Sequence, residues 1–104
     1  LTKEVMGAGV PGSEVAAKVA AFIDKAGYAY HILYGPAHGI GLMECEHPFV
    51  ETSLTEPLQE NMTFASDTWL SKGPNGIRIE DGVRIAETGV EELSTAHRTL
   101  LVID

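Results

Sequence analysis

The chain contains the stretch Tyr34-Gly35-Pro36-Ala37-His38-Gly39-Ile40-Gly41-Leu42, in which a single histidine is surrounded by glycines. Glycine lets the backbone take angles closed to other residues and lets neighbouring groups approach closely. This setting is unusual for a histidine of an apolar core. His38 is therefore a candidate functional residue, and the alternative is a buried, hydrogen-bonded histidine in a glycine-rich turn.

Two carboxylates follow runs of residues that are typical of strands. Asp67 comes directly after residues 62–66, and Glu80 comes directly after residues 77–79. An imidazole and carboxylates from separate segments are ligand types that a divalent metal ion takes. The residues therefore predict a metal site. For Glu80 the alternative is a solvent-facing residue paired with Arg78 or Arg84, a kind of pair that is common on protein surfaces.

Composition limits the partners that the chain could have. Its 104 residues correspond to one domain or part of one, and they carry 15 acidic against 7 basic residues, for a net charge of −8. Nucleic acid is not expected as a partner, because phosphate binding needs clustered Lys and Arg. No apolar run reaches the roughly 18 residues of a membrane-spanning helix, so no membrane partner is expected. The lone Cys45 fits a reduced, cytoplasmic setting.

The order of predicted elements is a helix followed by antiparallel strands, which favours the α+β class. Residues 1–6 are interpreted as the end of a helix, and the chain begins with Leu1 rather than Met, which suggests that it is part of a longer polypeptide. A helix is predicted over residues 13–26, because apolar side chains recur there at helical spacing and Gly27 follows as a cap would. The apolar positions are Val15, Val19, Phe22, Ile23 and Ala26.

Strands are predicted over residues 42–45, ended by Pro48, and over residues 63–70 and 100–103, with a surface loop over residues 50–61. Asp81-Gly82 stands between two alternating runs, residues 77–80 and 83–86. That pattern predicts a two-residue hairpin with Asp81 as a turn residue. Alternation also places Arg78 and Glu80 on one face of their strand.

His38-Gly39-Ile40-Gly41-Leu42, then Glu46 and Pro48, then residues 61–64, then Arg78-Ile79-Glu80-Asp81, resemble the metallopeptidase family of methionine aminopeptidase, Xaa-Pro aminopeptidase and prolidase. The likeness runs in order from about residue 10 to residue 93. It implies the creatinase-like, or pita-bread, fold, with helices packed on a mostly antiparallel sheet. It also implies that residues 1–104 are the C-terminal portion of a single catalytic domain whose upstream half is absent.

The resemblance implies a pair of divalent ions, Mn, Co, Zn or Fe, which members of this family hold with two Asp, one His and two Glu. It places metal ligation on His38, Asp67 and Glu80. Asp67 stands where the family has Glu, and it would also shuttle a proton during catalysis. The two Asp ligands lie upstream, so little or no catalysis is expected of these residues alone, and whether they bind any ion by themselves stays open.

Cys45 stands where the family has a second histidine, which contacts the substrate, and is thus a candidate catalytic position. A small buried apolar residue is the alternative for Cys45. His47 is a candidate substrate-binding residue, with an exposed loop position as the alternative.

The resemblance implies an aminopeptidase or dipeptidase of the Xaa-Pro type that hydrolyses N-terminal peptide bonds. Two alternatives stay open: a creatinase-like or lyase enzyme acting on a small non-peptide substrate, and a non-catalytic binding module. The expected partners are a peptide or small-molecule substrate, and a homodimer is also open.

Overall fold

Two helices precede a five-stranded sheet in the computed structural model, which describes residues 1–96, 98–99 and 102–103. The helices are α1 (Thr2–Val5) and α2 (Gly12–Lys25), followed by a short 3-10 helix (Ala29–His31). The strands are β1 (Ala37–Gly39), β2 (Glu46–Phe49), β3 (Thr63–Lys72), β4 (Asn75–Ile85) and β5 (Val90–Glu92). The predicted α+β class is confirmed.

The strands lie in the order β2-β1-β3-β4-β5, and every neighbouring pair is antiparallel. The long ribbon of β3 and β4 forms the centre of the sheet. Its register places Asp67 opposite Glu80 and Trp69 opposite Arg78. Side chains directly opposite each other share one face of a sheet, so this register brings the two acids together.

Helix α2 packs one face on the rest of the chain and ends where the glycine pattern predicts. Its buried residues include Val15, Ala16, Val19 and Ile23. Gly27 has φ +81°, and the N–H groups of Gly27 and Tyr28 donate to the carbonyl oxygens of Asp24 and Ile23. This is the bonding of a Schellman cap. Phe22, expected on the buried face, is 58% exposed, because the buried stripe runs through residues 15, 16, 19 and 23 instead.

The core lies between α2 and one face of the sheet. Phe64, Val83 and Ile85 of the central strands are fully buried there beside Val15 of the helix. The loop expected over residues 50–61 contributes to this core, so the expectation that it lies on the surface is wrong for Val50 and Leu58. Leu58 is held by backbone hydrogen bonds to residues 9 and 10.

The predicted hairpin at Asp81-Gly82 is wrong. Strand β4 runs without a break from Asn75 to Ile85, with Asp81 opposite Ser66 and Gly82 opposite Ala65. The reversal between β3 and β4 occurs at residues 73–74, where Gly73 has φ +60°. Asp81 is therefore a strand residue. Its carboxylate pairs with Lys3 at 3.1 Å and with Arg98 at 3.5 Å.

The strand predicted over residues 42–45 is also wrong, because the chain bends there and β2 begins only at Glu46. Pro48 lies inside β2 rather than after it. The position is tolerated since β2 is an edge strand, where a missing N–H removes no bond to a further strand. The strand predicted over residues 100–103 includes residues outside the described part of the chain and stays a prediction. Within the described part, no helix has both the length and the apolar character needed to cross a membrane.

Candidate metal centre

Three neighbouring strands each contribute one side chain to a common point. His38 lies on β1, Asp67 on β3 and Glu80 on β4, and these strands are adjacent in the sheet. Each side chain offers one ligand atom, and these atoms all lie within 4.8 Å of one another. The structure thus brings together the residues that the sequence suggested as metal ligands.

The ring of His38 is oriented with one nitrogen toward the two acids. Its Nδ1 lies 3.1 Å from the carbonyl oxygen of Gly39. A carbonyl oxygen only accepts, so Nδ1 carries the hydrogen, and Nε2 of the neutral ring has a free lone pair. Nε2 lies 3.9 Å from Asp67 Oδ2 and 3.9 Å from Glu80 Oε1, which is too far for a hydrogen bond. A backbone carbonyl that fixes the tautomer in this way is usual behind metal-binding histidines.

Asp67 is a buried carboxylate, 1% exposed, that is surrounded by donors. The hydroxyl of Tyr34 donates to Oδ2 at 2.5 Å. Arg78 donates twice, from Nε to Oδ1 at 3.1 Å and from Nη2 to Oδ2 at 3.1 Å. The same Nη2 lies 3.0 Å from Oε2 of Glu80. A buried charge is costly unless it is paired and hydrogen-bonded, and both conditions hold here.

The two donors, Tyr34 and Arg78, both have raised pKa values and so stay protonated at neutral pH. Burial, followed by the hydrogen bond to Asp67, raises the pKa of Tyr34 from 10.0 to about 12. The hydrogen bond to Asp67 raises the pKa of the Arg78 guanidinium above its usual value. At neutral pH the centre therefore combines a neutral phenol and a cationic guanidinium with the two acidic side chains.

The donor set fits a divalent metal ion. An imidazole nitrogen with a free lone pair and two carboxylates are the mixed ligands that Mn, Fe, Co and Zn accept. His38 and Asp67 are buried, whereas Glu80 is exposed, so an ion would have a route in from solvent. The three residues make part of a coordination shell, with further positions left to other groups.

A pocket of about 400 Å³ opens beside these residues. Tyr34, Phe49 and Trp69 supply its aromatic walls, and the rings of Tyr34 and Trp69 are nearly perpendicular with centres 6.3 Å apart. Cys45 also lines the pocket and is exposed, so the alternative of a buried apolar cysteine is wrong. His47 is exposed and does not line this pocket. Its ring packs edge-to-face on Phe49 at 4.5 Å, and its role in substrate binding stays a prediction.

Sequence reasoning missed the contacts of Tyr34 and Arg78 with Asp67. The sequence indicated that Arg78 and Glu80 share a face, and the structure agrees. The register of β3 on β4 was the missing information, because it places Arg78 two pairs along the ladder from Asp67 and on the same face of the sheet. The incorrect hairpin predicted at residues 81–82 would pair residues 77–80 with residues 83–86, and therefore excluded the register with β3.

Comparisons with known proteins agree with this geometry. The model for metallopeptidase family M24 matches residues 2–87. An uncharacterized peptidase of Staphylococcus haemolyticus is 31% identical over 93 residues, which are 88% of this chain and 26% of that protein. An Xaa-Pro dipeptidase of Pyrococcus furiosus is 30% identical over 95 residues, which are 89% of this chain and 27% of that protein.

Solved structures with the same fold include an X-Pro aminopeptidase from Thermotoga maritima, with a TM-score of 0.89 and 33% identity over 98% of this chain. An Xaa-Pro dipeptidase from Bacillus anthracis gives a TM-score of 0.90 and 25% identity over 98% of this chain. The pita-bread fold is thereby confirmed. The chain covers 29% of each of those two chains and only 21% to 27% of the curated relatives that it matches.

Proposed function

This chain belongs to metallopeptidase family M24, and we propose that it supplies part of the active site of a metal-dependent aminopeptidase or dipeptidase of the Xaa-Pro type. The reaction would be hydrolysis of an N-terminal peptide bond. The observation that carries the proposal is the convergence of His38, Asp67 and Glu80, whose ligand atoms lie within 4.8 Å of one another. Relatives named Xaa-Pro dipeptidase and X-Pro aminopeptidase support this substrate class.

In this proposal Nε2 of His38, the Asp67 carboxylate and Oε1 of Glu80 would hold divalent ions, of which Mn, Co, Zn and Fe fit the ligand types. The aspartate ligands that the family resemblance implies would come from outside these residues. Such ions, when bound, activate water as a nucleophile and polarise the carbonyl group that is attacked.

The chain's own residues would bind the substrate and move protons around that centre. Asp67 would accept a proton from the attacking water and deliver it to the leaving amine. Its side chain is one methylene shorter than Glu, and the contacts from Tyr34 and Arg78 fix its orientation. Phe49 and Trp69 would cover the apolar part of the substrate and exclude water.

Metal-activated hydrolysis by the complete protein tests the proposal. After treatment with a chelator and addition of Mn, Co, Zn or Fe, we expect cleavage of Xaa-Pro dipeptides. Glu80→Gln should abolish that activity. Glu91→Gln, which changes an exposed strand carboxylate that pairs with Arg84, should retain it. Absence of metal-activated hydrolysis with every ion, or full activity of Glu80→Gln, would contradict the proposal.

A second candidate is favoured by Cys45, because a thiol is a poor general acid and a weaker hydrogen-bond donor than imidazole. Its exposed position in the pocket suits a creatinase-like or lyase enzyme that acts on a small non-peptide substrate. Turnover of small amides, guanidines or sulfonium compounds, without cleavage of any dipeptide, would select this candidate. Binding of peptides without turnover of either substrate class would instead indicate a non-catalytic module.

A further inference from the structure

The oxygen of Asp67 that faces His38 already has two hydrogen-bond donors. Oδ2 accepts from the Tyr34 hydroxyl at 2.5 Å and from Nη2 of Arg78 at 3.1 Å, and it lies 3.9 Å from Nε2 of His38. Each oxygen of an ionised carboxylate offers about two acceptor positions. A cation that bound between His38 and Asp67 through Oδ2 would therefore compete with one of these donors.

Arg78 is the donor that also reaches the second acid. Its Nη2 lies 3.0 Å from Oε2 of Glu80, while its Nε donates to Oδ1 of Asp67 at 3.1 Å. One guanidinium thus contacts both carboxylates of the candidate metal centre. The Arg78 side chain is 42% exposed, whereas that of Asp67 is 1% exposed. Arg78 can therefore move into solvent by rotation about its side-chain bonds, whereas the buried Asp67 carboxylate cannot move out of the site.

We propose that Arg78 acts as a built-in cation that competes with divalent ions for Asp67 and Glu80. Ion binding is then an exchange in which Arg78 withdraws from Oδ2 of Asp67. Arg78 stabilises the two acids in the protein without an ion, and it weakens the affinity for an incoming ion. This inference rests on the metal site of the proposed function.

When an ion binds, Arg78 rather than Tyr34 is the donor that gives up its hydrogen bond to Oδ2 of Asp67. A divalent ion and a guanidinium on the same carboxylate oxygen repel each other, because both are positive and the site is partly shielded from water. The Tyr34 hydroxyl is neutral, and it can rotate or keep a weaker contact with the carboxylate. Removal of the charge at residue 78 should consequently tighten ion binding.

The test compares Arg78→Met with Arg84→Met in the complete protein. Both variants remove one arginine charge from β4, and the Arg84 side chain forms hydrogen bonds or ion pairs only with the exposed Glu91 and Asn61 among the described residues. Mn²⁺ affinity is measured by titration calorimetry, and the melting temperature is measured in the presence of a chelator. We expect Arg78→Met to bind Mn²⁺ about tenfold more tightly or better, and to melt at a lower temperature in the chelator. Arg84→Met should match the wild type in both measurements.

Unchanged or weaker Mn²⁺ binding by Arg78→Met, with normal binding by the wild type, would overturn the role of Arg78 and leave the proposed function intact. Failure of the wild type and of both variants to bind Mn²⁺ would overturn the metal site itself. If Arg78→Met does not fold, Arg78→Gln replaces it, since glutamine keeps a polar side chain but removes the positive charge. Its Mn²⁺ affinity should exceed that of the wild type, and an affinity equal to or below wild type would also overturn the inference.

Discussion

Replacement of Gly39 by alanine tests how tightly β1 and β2 are packed behind His38. A Cβ atom at Gly39 would lie 2.6 Å from the carbonyl oxygen of His47 and 2.9 Å from that of Glu46, whereas ordinary contacts begin at 3.4 Å. Both obstacles are backbone atoms of β2, so no side-chain rotation relieves the overlap. Strand β2 would have to move away from β1, at a cost of about 1–3 kcal/mol typical of overpacking.

The same substitution should reach the candidate metal centre. The Gly39 carbonyl oxygen accepts from Nδ1 of His38, so a displaced residue 39 loosens the orientation of the imidazole. We expect Gly39→Ala to lower the urea midpoint, followed by circular dichroism of the complete protein, and to weaken Mn²⁺ binding. Gly76→Ala is the matched control, because its Cβ would approach nothing closer than 3.5 Å. It should change stability by less than about 0.5 kcal/mol. Equal stability of the two variants would refute the steric argument.

Three further predictions address the core, the phenol and the pocket. Phe64→Ala should destabilise the protein by about 3–5 kcal/mol in urea unfolding, since the side chain is fully buried, whereas Phe22→Ala should have little effect at 58% exposure. The pKa of Tyr34 rises from 10.0 to about 12 on folding, so the folded state holds this proton more tightly and stability should fall as pH rises from 10 toward 12. That slope should be smaller in Tyr34→Phe. Cys45→His should raise the turnover of Xaa-Pro dipeptides by about tenfold or more, by supplying an imidazole at the pocket.

Each of these predictions has an outcome that contradicts it. Similar losses in Phe64→Ala and Phe22→Ala would place the core elsewhere. An identical alkaline slope in the wild type and Tyr34→Phe would show that the phenol is not held by Asp67. Unchanged turnover in Cys45→His, with Cys45→Ser as the control, would mean that residue 45 does not meet the substrate.

Local sequence signals were sufficient for α2 and for most of β3. The helix has a clear period of buried residues and a glycine at positive φ directly after it. These signals arise within a few residues of the chain, so no knowledge of the fold is needed. Residues 63–70 likewise contain bulky side chains that favour a strand, and β3 spans all of them.

The wrong prediction of a hairpin at Asp81-Gly82 shows that long-range strand pairing can override a local turn signal. Asp-Gly favours a turn, but Gly82 pairs with Ala65 on one side and accepts from the N–H of Leu93 on the other. Its own N–H donates to Oγ of Ser94 at 2.8 Å. A residue used by both neighbours of its strand cannot also reverse the chain, and those partners are not visible in residues 77–86 alone.

The candidate site shows the same difference between local sequence signals and long-range contacts. His38, Asp67 and Glu80 were recognisable because motifs and a family resemblance mark them along the chain. Tyr34 and Arg78 were not recognised as partners of Asp67, because their contacts depend on strand register and on the path of residues 28–36. Predicting such contacts requires the fold first.

The most direct test is X-ray absorption spectroscopy of the complete protein loaded with Mn²⁺, compared with His38→Ala and His47→Ala. If His38, Asp67 and Glu80 converge on one ion, the spectra of the wild type and of His47→Ala should both contain the scattering signal of an imidazole ligand. That signal should be absent from the spectrum of His38→Ala. An ion that keeps the same imidazole signal in His38→Ala, or no bound ion in the wild type, would contradict the account.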